Sequence, residues 1–283
     1  MRVYSREFDA RHLAKLTYLF MVTASPLLVR SLWRGPRAGF DFSSRTLEAY
    51  RELVKHGPIT DTTLSDLGMS DGTGQQVWLD LSHPSSEMPP GELALMCALV
   101  KWKNPTIAVE IGTFKGVTTL HLSRNTSENC RIYTVDLPPQ FDQLDAGMFS
   151  DPQLVETSIR SKRAFGNDPK IVQILHDSTT MNWNRVLDGP VDFALIDASH
   201  LYQHVKADTE AIMKVLARDA IVVWHDYRAV EIRRGVKKYL DELRRNGLLI
   251  KRLADTSICV CQYGLSHRCS LGESSPAVTA RCE

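Results

Sequence analysis

Val109-Glu110-Ile111-Gly112-Thr113-Phe114-Lys115-Gly116 joins the end of a short apolar run to an amphipathic segment that begins near Val117. A strand, a tight turn and a helix with glycine at both edges of the turn let backbone approach a ligand and let the helix pack on the strand. The middle glycine of G-x-G-x-x-G is missing, and Phe114 and Lys115 fill the turn, which counts against a dinucleotide pyrophosphate. Alone, the stretch is also an ordinary strand–helix connection, so its surroundings must decide.

Runs rich in β-branched and apolar residues recur at 106–111, 131–135, 171–175, 191–196 and 220–224, each the length of a buried strand. Residues 92–103 place Leu93, Met96, Leu99, Val100 and Lys103 on one helical face, and Asn104-Pro105 stops that helix. Residues 202–217 do the same with Val205, Thr209, Ile212 and Leu216. Strand then helix, repeated, predicts an α/β fold: a Rossmann-like, doubly wound, mostly parallel sheet with helices on both faces. The helix at 228–246 closes at Gly247. Two last strands, 248–253 and 257–262, are joined by Ala254-Asp255-Thr256, a link short enough for an antiparallel hairpin. Three parts follow: an N-terminal helical and loop extension (1–87), the α/β domain (88–263) and a loose polar tail (264–283).

The chain has 283 residues, 43% hydrophobic and 24% charged, enough to bury a large core. Thirty-four basic against 33 acidic residues leave a net charge of +1. Such a chain has no broad positive field, so no nucleic-acid partner is expected. Arg233, Arg234, Lys237, Lys238, Arg244 and Arg245 read as a solvated helix face. The six cysteines form no CxxC pair and no zinc spacing, and read as reduced thiols of a cytoplasmic protein. Cys259 and Cys261 share one face of a strand. Leu16 to Val29 is uncharged and follows basic residues, but it holds Pro26 and falls short of the about 20 apolar residues of a spanning helix. It reads as a helix packed on the domain or on a dimer mate, with peripheral membrane contact and export as the other readings.

In open parallel sheets, ligands bind beyond the carboxyl ends of the strands. Asp136 ends the second strand, where an acidic residue meets ribose hydroxyls or caps a turn. Asp177 and Ser178 follow the third, suited to an adenine edge or to a local turn. The fourth and fifth strands end in Ile196-Asp197-Ala198-Ser199-His200 and Trp224-His225-Asp226-Tyr227. They bring two carboxylates, Asp197 and Asp226, to one crevice. Like charges that close repel, and a divalent cation such as Mg2+ between them relieves the repulsion. Two solvated loop carboxylates are the plainer reading. His121 and His204 fall in helix patterns and read as structural. Trp78, Trp183 and Trp224 read as core or as walls for an aromatic acceptor.

Together, residues 109–116, 132–136, 194–202 and 222–227 resemble the class I S-adenosylmethionine-dependent methyltransferases, and within them the small-molecule O-methyltransferases of catechol, caffeoyl-CoA and antibiotic-sugar type. The likeness runs from about Glu92 to Gln262. It implies a seven-stranded sheet with the last strand antiparallel. It implies that Glu110, Gly112, Thr113 and Gly116 line the methionine side of S-adenosylmethionine, Asp136 its ribose, and Asp177 with Ser178 its adenine. Asp197 and Asp226 fall where metal ligands occur in the metal-dependent members. Catechol-type enzymes often carry Lys at the position of His200, and Asp-Asn or two acidic residues at that of His225-Asp226. The reaction implied is methyl transfer to an oxygen of a hydroxylated small molecule, with Asp197 and His200 as catalytic residues and His200 as base, with or without a metal. His225 reads as orienting Asp226 or packing beside Trp224. A hydroxylase or a nucleotide-binding module on the same fold is the alternative of a different class.

Overall fold

The computed structural model describes residues 59–69, 76–82, 88–138, 162–228 and 234–264. These belong to one compact unit that begins at Ile59. The 16–29 segment, the Ser70–Gly74 loop, most of the 137–151 loop and the tail lie outside the described residues.

Among the described residues eight strands form one sheet: β1 (Thr60–Thr62), β2 (Ile107–Ile111), β3 (Arg131–Asp136), β4 (Ile171–Leu175), β5 (Val191–Ile196), β6 (Leu216–Trp224), β7 (Ile250–Leu253) and β8 (Cys259–Gln262). Their order is β1-β7-β8-β6-β5-β2-β3-β4. Every neighbouring pair is parallel except those made by β8, which runs antiparallel between β6 and β7. The sheet therefore has one strand more than the expected seven. The addition is β1, whose three residues pair with β7 at the edge, where Arg252 Nε donates to Asp61 Oδ1 at 2.6 Å.

The described helices are α1 (Pro90–Lys103), α2 (Val117–Arg124), α3 (Trp183–Val186), α4 (Tyr202–Met213) and α5 (Arg234–Arg245). Helix α1 ends where Asn104 turns left-handed, with φ 47°. Helix α4 stops four residues short of the expected 217, because Leu216 joins β6 and pairs with Val191. Alternate strand residues feed two cores. Ala108, Ile132, Phe193, Leu195 and Val223 pack with Leu93, Met96 and Val100 of α1. Val109, Ile111, Val135, Ile196 and Val222 pack with Val205 and Ile212 of α4 and with Tyr239 and Leu240 of α5. A sheet covered on both faces needs nearly continuous apolar strands, which is why these runs were legible. Trp224 and Trp183 belong to the second core, and Trp224 Nε1 donates to Thr209 Oγ1 at 3.0 Å, so neither is a pocket wall. Cys97, Cys130, Cys259 and Cys261 are buried, and none of the four is in a disulfide.

Residues 76–82 lie along α2. Trp78 N–H donates to Asn125 Oδ1 at 2.7 Å, and Asp80 N–H donates to His121 Nε2 at 3.0 Å. His121 is buried, with Nδ1 2.7 Å from Val117 O, the structural role its helical position suggested. Among the described residues no helix is long and apolar enough to cross a membrane.

Candidate active site

The chain leaves β2 toward β3 on one side of the sheet and leaves β5 toward β6 on the other, so strand order reverses between β2 and β5. That reversal opens a crevice at the carboxyl ends of these strands. Gly112 sits in it with φ +104°, and Asp197 N–H donates to Ile111 O at 2.9 Å beside it. A Cβ on Gly112 would lie 2.3 Å from the Asp197 carbonyl oxygen and 2.9 Å from Ala198 Cα. Glycine is required here by the approach of the β5 end, a protein contact as well as a ligand surface. At the other edge, a Cβ on Gly116 (φ +73°) would meet the Phe165 ring at 2.6 Å.

Asp136 braces this turn. Its Oδ2 accepts from Phe114 N–H at 2.9 Å and lies 3.5 Å from Arg163 Nη2, and its Oδ1 accepts from Leu137 N–H at 2.9 Å. Beneath the turn, Thr113 Oγ1 and Thr134 Oγ1 are 2.7 Å apart, and Glu110 Oε2 accepts from Thr134 at 2.6 Å and from Thr119 at 2.5 Å. Glu110 is fully buried, and its Oε1 has no hydrogen-bond partner among the described residues. Burial pushes its carboxyl up to about 8 against the two threonine bonds, and the charges of Asp197 and Asp136 push the same way.

Glu110 is then protonated in the folded chain at neutral pH and ionised in the unfolded one. Its contribution to stability is full below about pH 4.5 and falls as the pH rises toward about 8. In urea unfolding from pH 4 to 9, Glu110→Gln is expected to gain on the native chain across that window. Parallel curves for the two proteins would refute a buried neutral acid.

Asp177 and Ser178 turn inward upon the protein. Asp177 Oδ1 accepts from both the N–H (2.9 Å) and the hydroxyl (2.7 Å) of Thr179, the local turn that was the rival reading. Ser178 Oγ donates to Asp208 Oδ1 at 2.7 Å. Asp208, on α4, is a buried acid missed in the sequence, and burial pushes its carboxyl up to about 7, with Asp177 adding to the rise and the Ser178 bond opposing it.

The second cluster lies at the ends of β5 and β6. His200 Nε2 donates to Asp226 Oδ2 at 2.8 Å. His225 Nε2 donates to Glu92 Oε2 at 2.6 Å, and its Nδ1 stands 3.3 Å from Asp197 Oδ1 and 3.4 Å from Asp226 Oδ2. Glu92 Oε1 accepts from Ser257 N–H at 2.6 Å. Asp226 holds φ +63°, a conformation aspartate tolerates better than most residues. The cluster is buried: His200 is 9% exposed, His225 5% and Asp226 6%.

Burial disfavours an imidazolium at His225, but the Asp197 charge and the bonds to Asp197, Asp226 and Glu92 outweigh it and push His225 up to about 12. Against its burial, the hydrogen bonds from His200 and His225 and the charges of the two rings hold Asp226 far below the usual carboxylate range. Glu92 is likewise lowered, its bonds to His225 and Ser257 overcoming burial. The repulsion that suggested a cation between Asp197 and Asp226 is thus already relieved by His225. A dication fits the same place, since Asp197, His225 and Asp226 each offer a ligand atom within 4.8 Å of the others. Glu92 was read only as the start of a helix; nothing in the sequence brings it to a residue 133 positions away. His225, which reads in the sequence as orienting Asp226 or packing beside Trp224, stands 3.4 Å from Asp226 and also meets Asp197 and Glu92.

Residues 109–227 match the family described as a methyltransferase domain. Among curated proteins, none matches the chain. Of solved structures, the O-methyltransferase from Bacillus cereus in complex with SAH is 17% identical, over 63% of this chain and 84% of that one, with a TM-score of 0.42. The SAH-bound methyltransferase PaMTH1 from Podospora anserina is 14% identical over 60% and 77%, with a TM-score of 0.44. TomG from Streptomyces achromogenes, an O-methyltransferase of tomaymycin synthesis in complex with SAM, is 14% identical over 62% and 81%, with a TM-score of 0.40. The matched stretch runs from within β2 to just past β6 and contains the Gly112–Gly116 turn, Asp136 and, of the second cluster, Asp197, His200, His225 and Asp226 but not Glu92 or Ser257. The chain is thus similar over residues 109–227 to a methyltransferase domain, on the mostly parallel, doubly wound sheet described above.

Proposed function

We propose that this chain is a methyltransferase that uses S-adenosylmethionine to methylate an oxygen of a hydroxylated small molecule, with a divalent cation such as Mg2+ held by Asp197, His225 and Asp226. The observation that supports it most is the joining of the two clusters by the contact of Gly112 with Asp197. That contact sets a glycine-edged turn against a buried acid and base pair. The cofactor supplies a methyl group on a cationic sulfur. A cationic ligand at the turn would favour the ionised form of Glu110, whose Oε1 is left without a partner among the described residues. Asp136 accepts two backbone N–H groups, and a carboxylate offers about four acceptor sites, so bracing the turn is compatible with receiving ribose hydroxyls. In this reading Asp177 and Ser178 shape the turn after β4 that would border the adenine side, through their bonds to Thr179 and Asp208. His200, with Nε2 fixed on Asp226, is the group to take the proton of the acceptor hydroxyl. A bound dication would lower that hydroxyl's pKa and orient it.

A second reading rests on His225: its imidazolium supplies the positive charge, no ion is needed, and His200 acts as sole base. The decisive experiment is calorimetric titration with S-adenosylhomocysteine in Mg2+ and again in EDTA, followed by transfer of a labelled methyl group to a panel of catechols and other hydroxylated acceptors. Micromolar binding with ion-dependent transfer is expected. Transfer unchanged in EDTA selects the second reading, and absence of binding in both buffers overturns the cofactor and brings forward a hydroxylase or nucleotide-binding module.

A further inference from the structure

Building on the cation reading above, we propose that Glu92 is a positioning residue that makes the cluster a mixed nitrogen and oxygen site selective for a first-row transition dication, such as Mn2+ or Co2+, over Mg2+. Glu92 is itself pinned at both oxygens, by Ser257 N–H at 2.6 Å and by His225 Nε2–H at 2.6 Å. With Nε2 so engaged, the imidazole plane is fixed and Nδ1 is turned to the space between Asp197 Oδ1 (3.3 Å) and Asp226 Oδ2 (3.4 Å). An ion there takes the place of the proton that Nδ1 shares with the two carboxylates.

A ligating histidine whose other ring nitrogen donates to a carboxylate is the usual outer support of metal sites, and its loss costs about 10- to 100-fold in affinity. Asp226 has the matching support from His200 Nε2–H at 2.8 Å. The donor set decides the ion. Mg2+ takes oxygen ligands and keeps its waters; carboxylates suit Mg2+ and Mn2+ alike, whereas imidazole suits the later first-row dications, so the imidazole is the ligand that discriminates. One imidazole between two carboxylates, in a cluster with Asp226 6% and His225 5% exposed, favours the second group.

The test uses the full chain stripped with EDTA. Mn2+, Co2+ and Mg2+ are titrated separately by calorimetry, and nitrogen coupling to bound Mn2+ is read by pulsed electron paramagnetic resonance. Mn2+ and Co2+ are expected to bind at least about tenfold more tightly than Mg2+, with a nitrogen signal that His225→Gln removes. Glu92→Ala should lose about 10- to 100-fold in Mn2+ affinity and weaken the nitrogen signal. Glu92→Gln, which still accepts from Nε2–H, should restore both in large part. Equal affinity for Mg2+ and Mn2+, a nitrogen signal that survives His225→Gln, or wild-type behaviour of Glu92→Ala overturns the proposal. S-adenosylhomocysteine binding by the stripped protein separates the two claims. If it binds and no ion does, this inference fails alone; if it does not bind, the cofactor reading fails whatever the metals do.

Discussion

Gly112→Ala is expected to lower the melting temperature by on the order of 10 °C and to abolish S-adenosylhomocysteine binding. Two costs add at this position. An L residue held at φ +104° pays about 1–3 kcal/mol of backbone strain. Its Cβ would also stand 2.3 Å from the Asp197 carbonyl oxygen and 2.7 Å from the carbonyl carbon, both main-chain atoms that no rotamer change can move. Overpacking of that kind costs about 1–3 kcal/mol more. Each kcal/mol shifts the midpoint of a domain this size by about 2–4 °C. Gly247 supplies the control, because it holds a similar φ of +99° with nothing within 4 Å of its Cβ position. Gly247→Ala should therefore pay for conformation alone. Thermal melts and calorimetry on both variants isolate the contact, and equal melting temperatures would show that Gly112 serves only its own backbone angle.

The same contact explains why the site was partly legible in the sequence. Residues placed by their position at a strand end stand where the sequence puts them: Gly112, Asp136, Asp197, His200 and Asp226 lie at or just beyond the carboxyl ends of β2, β3, β5 and β6. The strands were visible because a sheet covered on both faces demands unbroken apolar runs, and Ala254-Asp255-Thr256 was too short for anything but a hairpin. Where local chemistry competes with long-range contact, the reading failed. Thr60–Thr62 has no strand signal and is a strand because β7 offers it an edge. Leu216 continues a helical period, yet its pairing with Val191 draws it into β6. Glu92 and His225 meet only once α1 is folded against the sheet, and no spacing rule reaches across that distance. Asp177 and Ser178 were ambiguous for the reason the structure makes plain: short polar side chains find backbone and neighbours of their own, Thr179 and Asp208.

His200→Ala should lower single-turnover methyl transfer by about 10²- to 10⁴-fold, the range for loss of a general base, while leaving S-adenosylhomocysteine affinity within about twofold of wild type, because its side chain is anchored on Asp226, at the end of β6. The side chain is placed from two directions. Asp226 holds Nε2 at 2.8 Å, and α5 backs the main chain so closely that a Cβ on Gly235 would stand 2.2 Å from His200 O and 2.3 Å from Tyr202 N. A ring fixed on a carboxylate at one nitrogen is arranged to receive a proton and keep the resulting charge. The rival role is to orient Asp226, and an amide can do that as well as an imidazole. Glutamine therefore separates the two: it donates to Asp226 but cannot take a proton near neutral pH. If His200→Gln is as slow as His200→Ala, the lost function is the proton transfer. If His200→Gln recovers most of the rate, His200 is a support for Asp226, and the proton leaves by another route.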